Sequence, residues 1–115
     1  MNVQLFGTKK CAETRKAERW FKERRVTLHV VDLGQKGMAP GELRNVAARV
    51  GGFEALIDRA GKRYLDKGLK YAAPTGPRIE QALVDDPLLL RTPIARCEGR
   101  ATVGYQPDVW QTWLG

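Results

Sequence analysis

The sequence predicts an α/β domain built on a mixed four-stranded sheet, with helices on its faces and a helical insertion at about residues 39–85. Three observations carry this. A strand, a helix and a second strand succeed one another within the first 32 residues. A block of helical pieces follows, punctuated by Gly and Pro. Two short β-prone runs joined by Glu98-Gly99 then precede a last amphipathic segment. The order βαβ, helices, ββα contains no internal repeat or low-complexity tract, and it fits one domain over residues 1–115.

NVQLF, residues 2–6, alternates polar and apolar and stops at Gly7, as a short strand entering a turn does. From Ala12 to about Arg24, Ala17, Trp20 and Phe21 recur at helical spacing, which places Cys11 at the start of an amphipathic helix. TLHVVD at 27–32 is β-branched and apolar, and a crossover of this length pairs it in parallel with the first strand. Pro40 suits a first helical position, with Leu43, Val46, Ala47 and Val50 on one face and Gly51 as a stop. Residues 53–69 offer short helical pieces broken by Gly61 and Gly68. Thr75 or Gly76 with Pro77 opens another helix, burying Ile79, Ala82 and Leu83 and ending at Asp85, Asp86 and Pro87. PIARC (93–97) and RATVGY (100–105) form an antiparallel hairpin, and Pro107-Asp108 starts a helix carrying Val109, Trp110, Trp113 and Leu114. In such a sheet a site is expected at the C-terminal strand ends.

The formal charge of +7 is concentrated: residues 9–25 hold eight Lys or Arg against three Glu, a net +5. That face could attract anions, acidic proteins or nucleic acid. Interleaving with Glu13, Glu18 and Glu23 favours a solvated helix face, and no zinc-finger, RNA-binding or basic-zipper pattern accompanies it, so direct nucleic-acid binding is the weaker reading. No apolar run approaches the roughly 20 residues of a membrane span, and MNVQLFG lacks a secretory core, so a cytoplasmic protein without membrane contact is expected. Two cysteines and one histidine, widely dispersed, make no closed metal site. His29, in mid-strand, reads as a packed or edge residue, and the three tryptophans as core.

GTKKCAETR, residues 7–15, is the stretch with chemistry in it. A thiolate attacks where a thiol hardly does. The amides and macrodipole of the helix starting at Ala12 favour negative charge, and Lys9, Lys10 and Arg15 stand nearby, so the thiol of Cys11 is expected below its ordinary value. Backbone amides and Arg15 could also hold an oxyanion or a glutathione carboxylate. The competing reading is a half-buried thiol at an ordinary helix start. Thr14 stands where a CxxC motif carries its second cysteine, which excludes an internal disulfide of that kind. If Pro93 lies beside Cys11, four strand residues carry Cys97 about 13 Å away, beyond the roughly 7 Å a disulfide allows. Any resolving thiol is then external, glutathione or a thioredoxin-type partner. No bound cofactor is expected; glutathione would act as co-substrate.

FGTKKCAETRKAERW, GGFEALIDRAGKRYLDKGL and DPLLLRTPIARCEGRATVGYQPDVW, in that order, resemble the arsenate-reductase-related (ArsC/Spx-like) proteins, which include Spx-type transcription regulators. The resemblance implies a thioredoxin-like (glutaredoxin-like) fold with a helical insertion, and a cis-proline at Pro93. It implies a thiol-dependent oxidoreductase in which Cys11 attacks arsenate, arginines stabilise the oxyanion, and glutathione with glutaredoxin resolves the adduct. Cys11, Arg15 and Arg91 become the catalytic set, with Lys10, Thr14, Arg59, Thr92, Pro93 and Arg100 binding substrate.

The departures are specific. Family reductases carry an arginine immediately before the cis-proline; Thr92 stands there, with Arg91 one residue earlier, and a one-residue shift in a strand reverses the face a side chain takes. Arg59 lies within a residue of the family's middle arginine, with Arg63 as a nearby substitute, and Arg100 approximates the last. The VGY of ATVGY and the pair Gly51-Gly52 resemble the regulator branch, in which a glycine near this point meets RNA polymerase. That branch commonly carries CxxC, whereas this chain has CAET. The alternative to the oxidoreductase is thus a regulator or protein-binding module contacting RNA polymerase.

Overall fold

The computed structural model describes residues 1–69 and 74–114, so residues 70–73 of the expected helical block lie outside the described residues. Strands β1 (Asn2–Gly7) and β2 (Thr27–Asp32) flank helix α1 (Ala12–Glu23). Helices α2 (Pro40–Val50), α3 (Lys62–Asp66) and α4 (Pro77–Asp85) follow, with 3-10 turns at Phe53–Ala55 and Pro87–Leu89. Strands β3 (Ile94–Cys97) and β4 (Arg100–Val103) and helix α5 (Pro107–Trp113) complete the chain. The sheet order is β2-β1-β3-β4. β1 and β2 are parallel, and the other two pairings are antiparallel. This is the thioredoxin-like arrangement, and the Thr92-Pro93 bond is cis.

Strand periodicity divides the core in two. Val3, Leu5, Ala95 and Cys97 pack with Ala17, Trp20 and Phe21 of α1 and Trp110 and Trp113 of α5. Phe6 and Ile94 face the other way, onto Leu43 and Val46 of α2 and Ile79 and Leu83 of α4. Each fully buried aliphatic or aromatic side chain contributes roughly 1.5–3 kcal/mol. The tryptophans are therefore core, as expected: Trp110 is sealed from solvent, and Trp20 lies against it with ring centroids 5.6 Å apart.

Local rules set the boundaries. Gly51 at φ 97° ends α2, the left-handed closure that glycine adopts without a Cβ penalty. Glu98 and Gly99, at φ 48° and 79°, make the two-residue hairpin that pairs Cys97 with Arg100. The strand expected to run through Tyr105 stops at Val103, because Gly104 turns at φ 85° and donates its amide to the Pro93 carbonyl at 2.8 Å. Tyr105 instead packs edge-on to Trp110. His29 is exposed on β2, an edge strand.

The insertion is stitched to the segment before Pro93. Ile57 bridges Leu90, the amide of Arg91 donates to the Leu56 carbonyl at 2.7 Å, and that of Asp58 donates to the Leu89 carbonyl at 2.9 Å. Through these bonds the residues from Asp58 to Arg63 come to face the Cys11 loop.

Candidate active site

β1 ends at Gly7, and four residues later Cys11 becomes the N-cap of α1, its carbonyl accepting from the Arg15 amide at 3.2 Å. Its side chain caps nothing, which leaves the sulfur for other partners. Gly7 is required here: a Cβ would overlap the side chain of Thr14, which seats the first turn of α1 on the end of β1. Cys11 is half-buried, whereas Cys97 is sealed in the core of β3; neither forms a disulfide.

The loop before Pro93 completes the sulfur's surroundings. Thr92 Oγ1 donates to Cys11 Sγ at 3.1 Å, and a protonated thiol can return a long contact of 3.9 Å to the Thr92 carbonyl. Burial pushes the Cys11 thiol up. The hydroxyls of Thr14 and Thr92 and the backbone amides of Thr14 and Glu13 more than offset this and hold it below its ordinary value. The Thr14 hydroxyl is close enough to favour a charged sulfur, yet it falls short of a hydrogen bond and has no other partner among the described residues. A buried hydroxyl without a partner costs roughly 1–3 kcal/mol. Ionisation of Cys11 would give it one.

The first-turn amides act as expected, and the corrected part concerns the cations: the hydroxyls of Thr14 and Thr92 stand where Lys9, Lys10 and Arg15 were expected to supply the rest. Arg15 Nη1 donates to the Lys9 carbonyl at 2.6 Å, and its side chain lines a separate cavity of about 230 Å³ beside Asp32 and Val30.

The sulfur opens into a cavity of about 460 Å³ between the Cys11 loop and the insertion. Lys10, Thr92 and Leu33 line it with Cys11, and Asp58, Lys62 and Arg63 face them. Of the expected substrate-binding residues, the fold brings Lys10 and Thr92 to this cavity, while Thr14 lines the smaller one beside Arg15 and Pro93 is buried. Arg59 is elsewhere, its guanidinium donating to Glu54 at 2.6 Å and to the Tyr64 hydroxyl at 2.8 Å. Arg91 reaches away to the Ala55 carbonyl at 3.4 Å, the reversal of face that its one-residue offset implied. Arg100 sits at the hairpin end of β4 beside Glu98 and over the Trp113 ring, three strand residues (roughly 10 Å) from the Val103 end that adjoins Ile94.

Arg63 is the arginine of the cavity wall. Its Nε donates to Asp86 Oδ2 at 2.7 Å, and Lys67 Nζ pairs with the same oxygen at 2.8 Å. Asp86, 5% exposed, also accepts the Leu88 amide at 3.3 Å. Burial would raise its carboxyl, but the Lys67 and Arg63 pairs outweigh that and hold it below the usual range. By its place in the sequence Asp86 reads only as a helix end. Nothing in the local pattern links it to a cation 23 residues earlier.

The chain matches the ArsC family over residues 6–113. It belongs to that family. Among curated relatives, the global transcriptional regulator Spx 2 of Oceanobacillus iheyensis is 27% identical over 109 residues, covering 94% of this chain and 80% of the relative. Among solved structures, the YFFB protein superposes with a TM-score of 0.85 at 26% identity, covering 98% of this chain and 99% of that one. The arsenate reductase from Vibrio cholerae superposes with a TM-score of 0.83 at 19% identity, covering 97% of each chain, a likeness of fold. The Thr92-Pro93 bond is cis, as the resemblance implied, and Arg59, Arg91 and Arg100 lie away from the Cys11 cavity.

Proposed function

We propose that this protein is a monothiol oxidoreductase of the ArsC family, with Cys11 as its nucleophile. The observation that carries the reading is the Thr92 hydroxyl, which donates to Sγ at the wall of an open cavity, next to first-turn donors that favour the thiolate. In one cycle the Cys11 thiolate attacks a disulfide sulfur: the S–S bond breaks, one thiolate leaves, and a mixed disulfide forms on Cys11. An external thiolate then attacks that mixed disulfide and releases Cys11. With arsenate as oxidant, Sγ displaces water from the protonated oxyanion, and two external thiols supply the electrons, leaving as a disulfide with arsenite. Glutathione is the small thiol proposed as co-substrate, with a glutaredoxin or thioredoxin as protein reductant. The test is mass spectrometry of Cys11 after exposure to oxidised glutathione and, separately, to arsenate with a thiol. A glutathione adduct on Cys11 that disappears in Cys11→Ser supports the reading. No adduct under either condition sinks it.

The second reading, a regulator docking on RNA polymerase, is favoured by the Spx relative and by one surface feature. Gly51 and Gly52 lie at positive φ on the turn after α2, with open space around both. It expects partner association that survives Cys11→Ser and is lost in Gly52→Glu.

A further inference from the structure

We propose that β2 is a self-association edge: two copies of this chain pair antiparallel along residues 28–30, with His29 on the two-fold axis between them. The association does not depend on the chemistry of Cys11.

β2 has six residues and stands at one end of the sheet order. Exposed edges are ordinarily blunted by brevity, proline or lysine. The opposite edge, β4, has four residues and begins at Arg100. TLHVVD carries neither proline nor lysine, and its one carboxylate, Asp32, comes last. Among the described residues Val30, 47% exposed, is the only large apolar side chain of the sheet left so open.

The strand's own bonds set the register. Along β2 the residues turn their amide and carbonyl alternately to β1 and to the free edge. The Leu33 amide donates to the Gly7 carbonyl of β1 at 2.9 Å, so His29 and Val31 turn to β1, and Leu28 and Val30 turn outward. Both ends of the edge are occupied. The Val26 amide donates to the Phe21 carbonyl at 3.2 Å, and the Asp32 carbonyl accepts the Gln35 and Lys36 amides at 3.0 and 2.9 Å. A two-fold centred on Leu28 would set Val30 against the occupied amide of Val26. One centred on Val30 would set Leu28 against the occupied carbonyl of Asp32. Centred on His29, Leu28 of each copy exchanges both its bonds with Val30 of the other, and every outward group of the two residues is satisfied.

The side chains suit the same register. On the α1 face Val30 lies against Leu28 of the second copy, an apolar cross-strand pair that covers the exposed valine. At each end of the seam Asp32 of one copy comes to the exposed Arg24 and Arg25 of the other, a carboxylate meeting cations.

Sedimentation velocity of the unmodified protein from about 10 µM to about 1 mM is expected to show the mass rising toward twice that of the monomer, as for a small and weak interface. Val30→Pro removes an outward amide that β1 does not use, and Val30→Lys sets a charge on the edge. Each is expected to abolish association with circular dichroism unchanged; if Val30→Pro fails to fold, Val30→Lys carries the test. The register is read with His29→Cys in a Cys11→Ser background, using diamide, which takes up the two thiol hydrogens as the S–S bond forms. Across the two-fold the introduced thiols sit on Cα atoms about 4.5 Å apart, within disulfide range, so a covalent dimer is expected. Thr27→Cys, two residues from the axis on the same face, leaves the Cα atoms about 13 Å apart and is expected to stay uncrosslinked. A monomer at every concentration overturns the proposal and leaves the edge to an extended segment of a different protein. Association unchanged in Val30→Lys, or crosslinking at Thr27 as fast as at His29, also overturns it.

Discussion

The two walls of the Cys11 cavity are built in opposite ways. On one side, Gly7, Cys11 and Thr14 lie within eight residues of chain, and their roles follow from local rules: a strand end, a close approach and a helix start. On the other, Asp58, Lys62 and Arg63 belong to an insertion whose placement depends on bonds to Leu89 and Arg91, and whose arginine is anchored by a residue 23 positions away. The first wall supplies the nucleophile and its first-turn donors, to which Thr92, from the loop before Pro93, adds its hydroxyl. The second supplies charge. Local pattern reveals chemistry where donor and acceptor are neighbours in sequence, and hides it where the chain must close a long loop first.

Substitutions can break either wall separately. The largest effect belongs to Cys11→Ser, which is expected to abolish the glutathione adduct entirely while leaving the fold intact, read by mass spectrometry and circular dichroism.

Asp86→Ala comes next. It leaves Arg63 and Lys67 without their shared carboxylate and removes the cap on the Pro87–Leu89 turn, at an expected cost of roughly 2 kcal/mol in urea unfolding, well below a fully buried pair because both cations are about half exposed. The pH dependence has a defined sign. The folded carboxyl lies below its unfolded value, so its contribution is complete above the unfolded carboxylate range and fades as pH falls through the folded value. Asp86→Asn should therefore flatten the acid limb of the stability profile.

Thr14→Val sharpens the first wall by moving two properties in opposite directions. Removing a buried hydroxyl that lacks a partner should raise stability by about 1 kcal/mol, while the Cys11 thiol moves up and its neutral-pH alkylation slows. Loss of stability instead would mean that the hydroxyl has a partner in solution.

The smallest effects are expected at Arg59 and Arg100. Glutamine at either position should leave iodoacetamide reactivity within about twofold, since both pair outside the cavity with partly exposed carboxylates.

The parallel pair β1–β2, the helices on both faces and the hairpin at Glu98-Gly99 were legible because each rests on short-range signals: alternation in NVQLF, helical spacing of Ala17, Trp20 and Phe21, and a glycine where positive φ is needed. The strand order was not, because the β1–β3 pairing joins opposite ends of the chain. Cys11 stood out as a candidate because it precedes a helix, while Thr92 was named only through the family resemblance, as the residue before Pro93. The hydrogen bond between them was not legible, for its partners stand 81 residues apart. The arginines were the weakest part. Guanidinium groups reach far, and which anion or carbonyl each one finds depends on packing that composition does not encode: Arg15 turns back to Lys9, Arg59 to Glu54, and Arg63 to Asp86.

The central claim is that hydrogen-bond donors, chiefly those of Thr92 and the first turn of α1, hold the Cys11 thiol low, while the neighbouring basic side chains do not. The direct measurement is the pH dependence of Cys11 alkylation by iodoacetamide in the unmodified protein, Thr92→Val and Arg15→Gln. The account expects an apparent pKa below that of a free thiol, moved upward in Thr92→Val and unmoved in Arg15→Gln. An upward move in Arg15→Gln with none in Thr92→Val would contradict it.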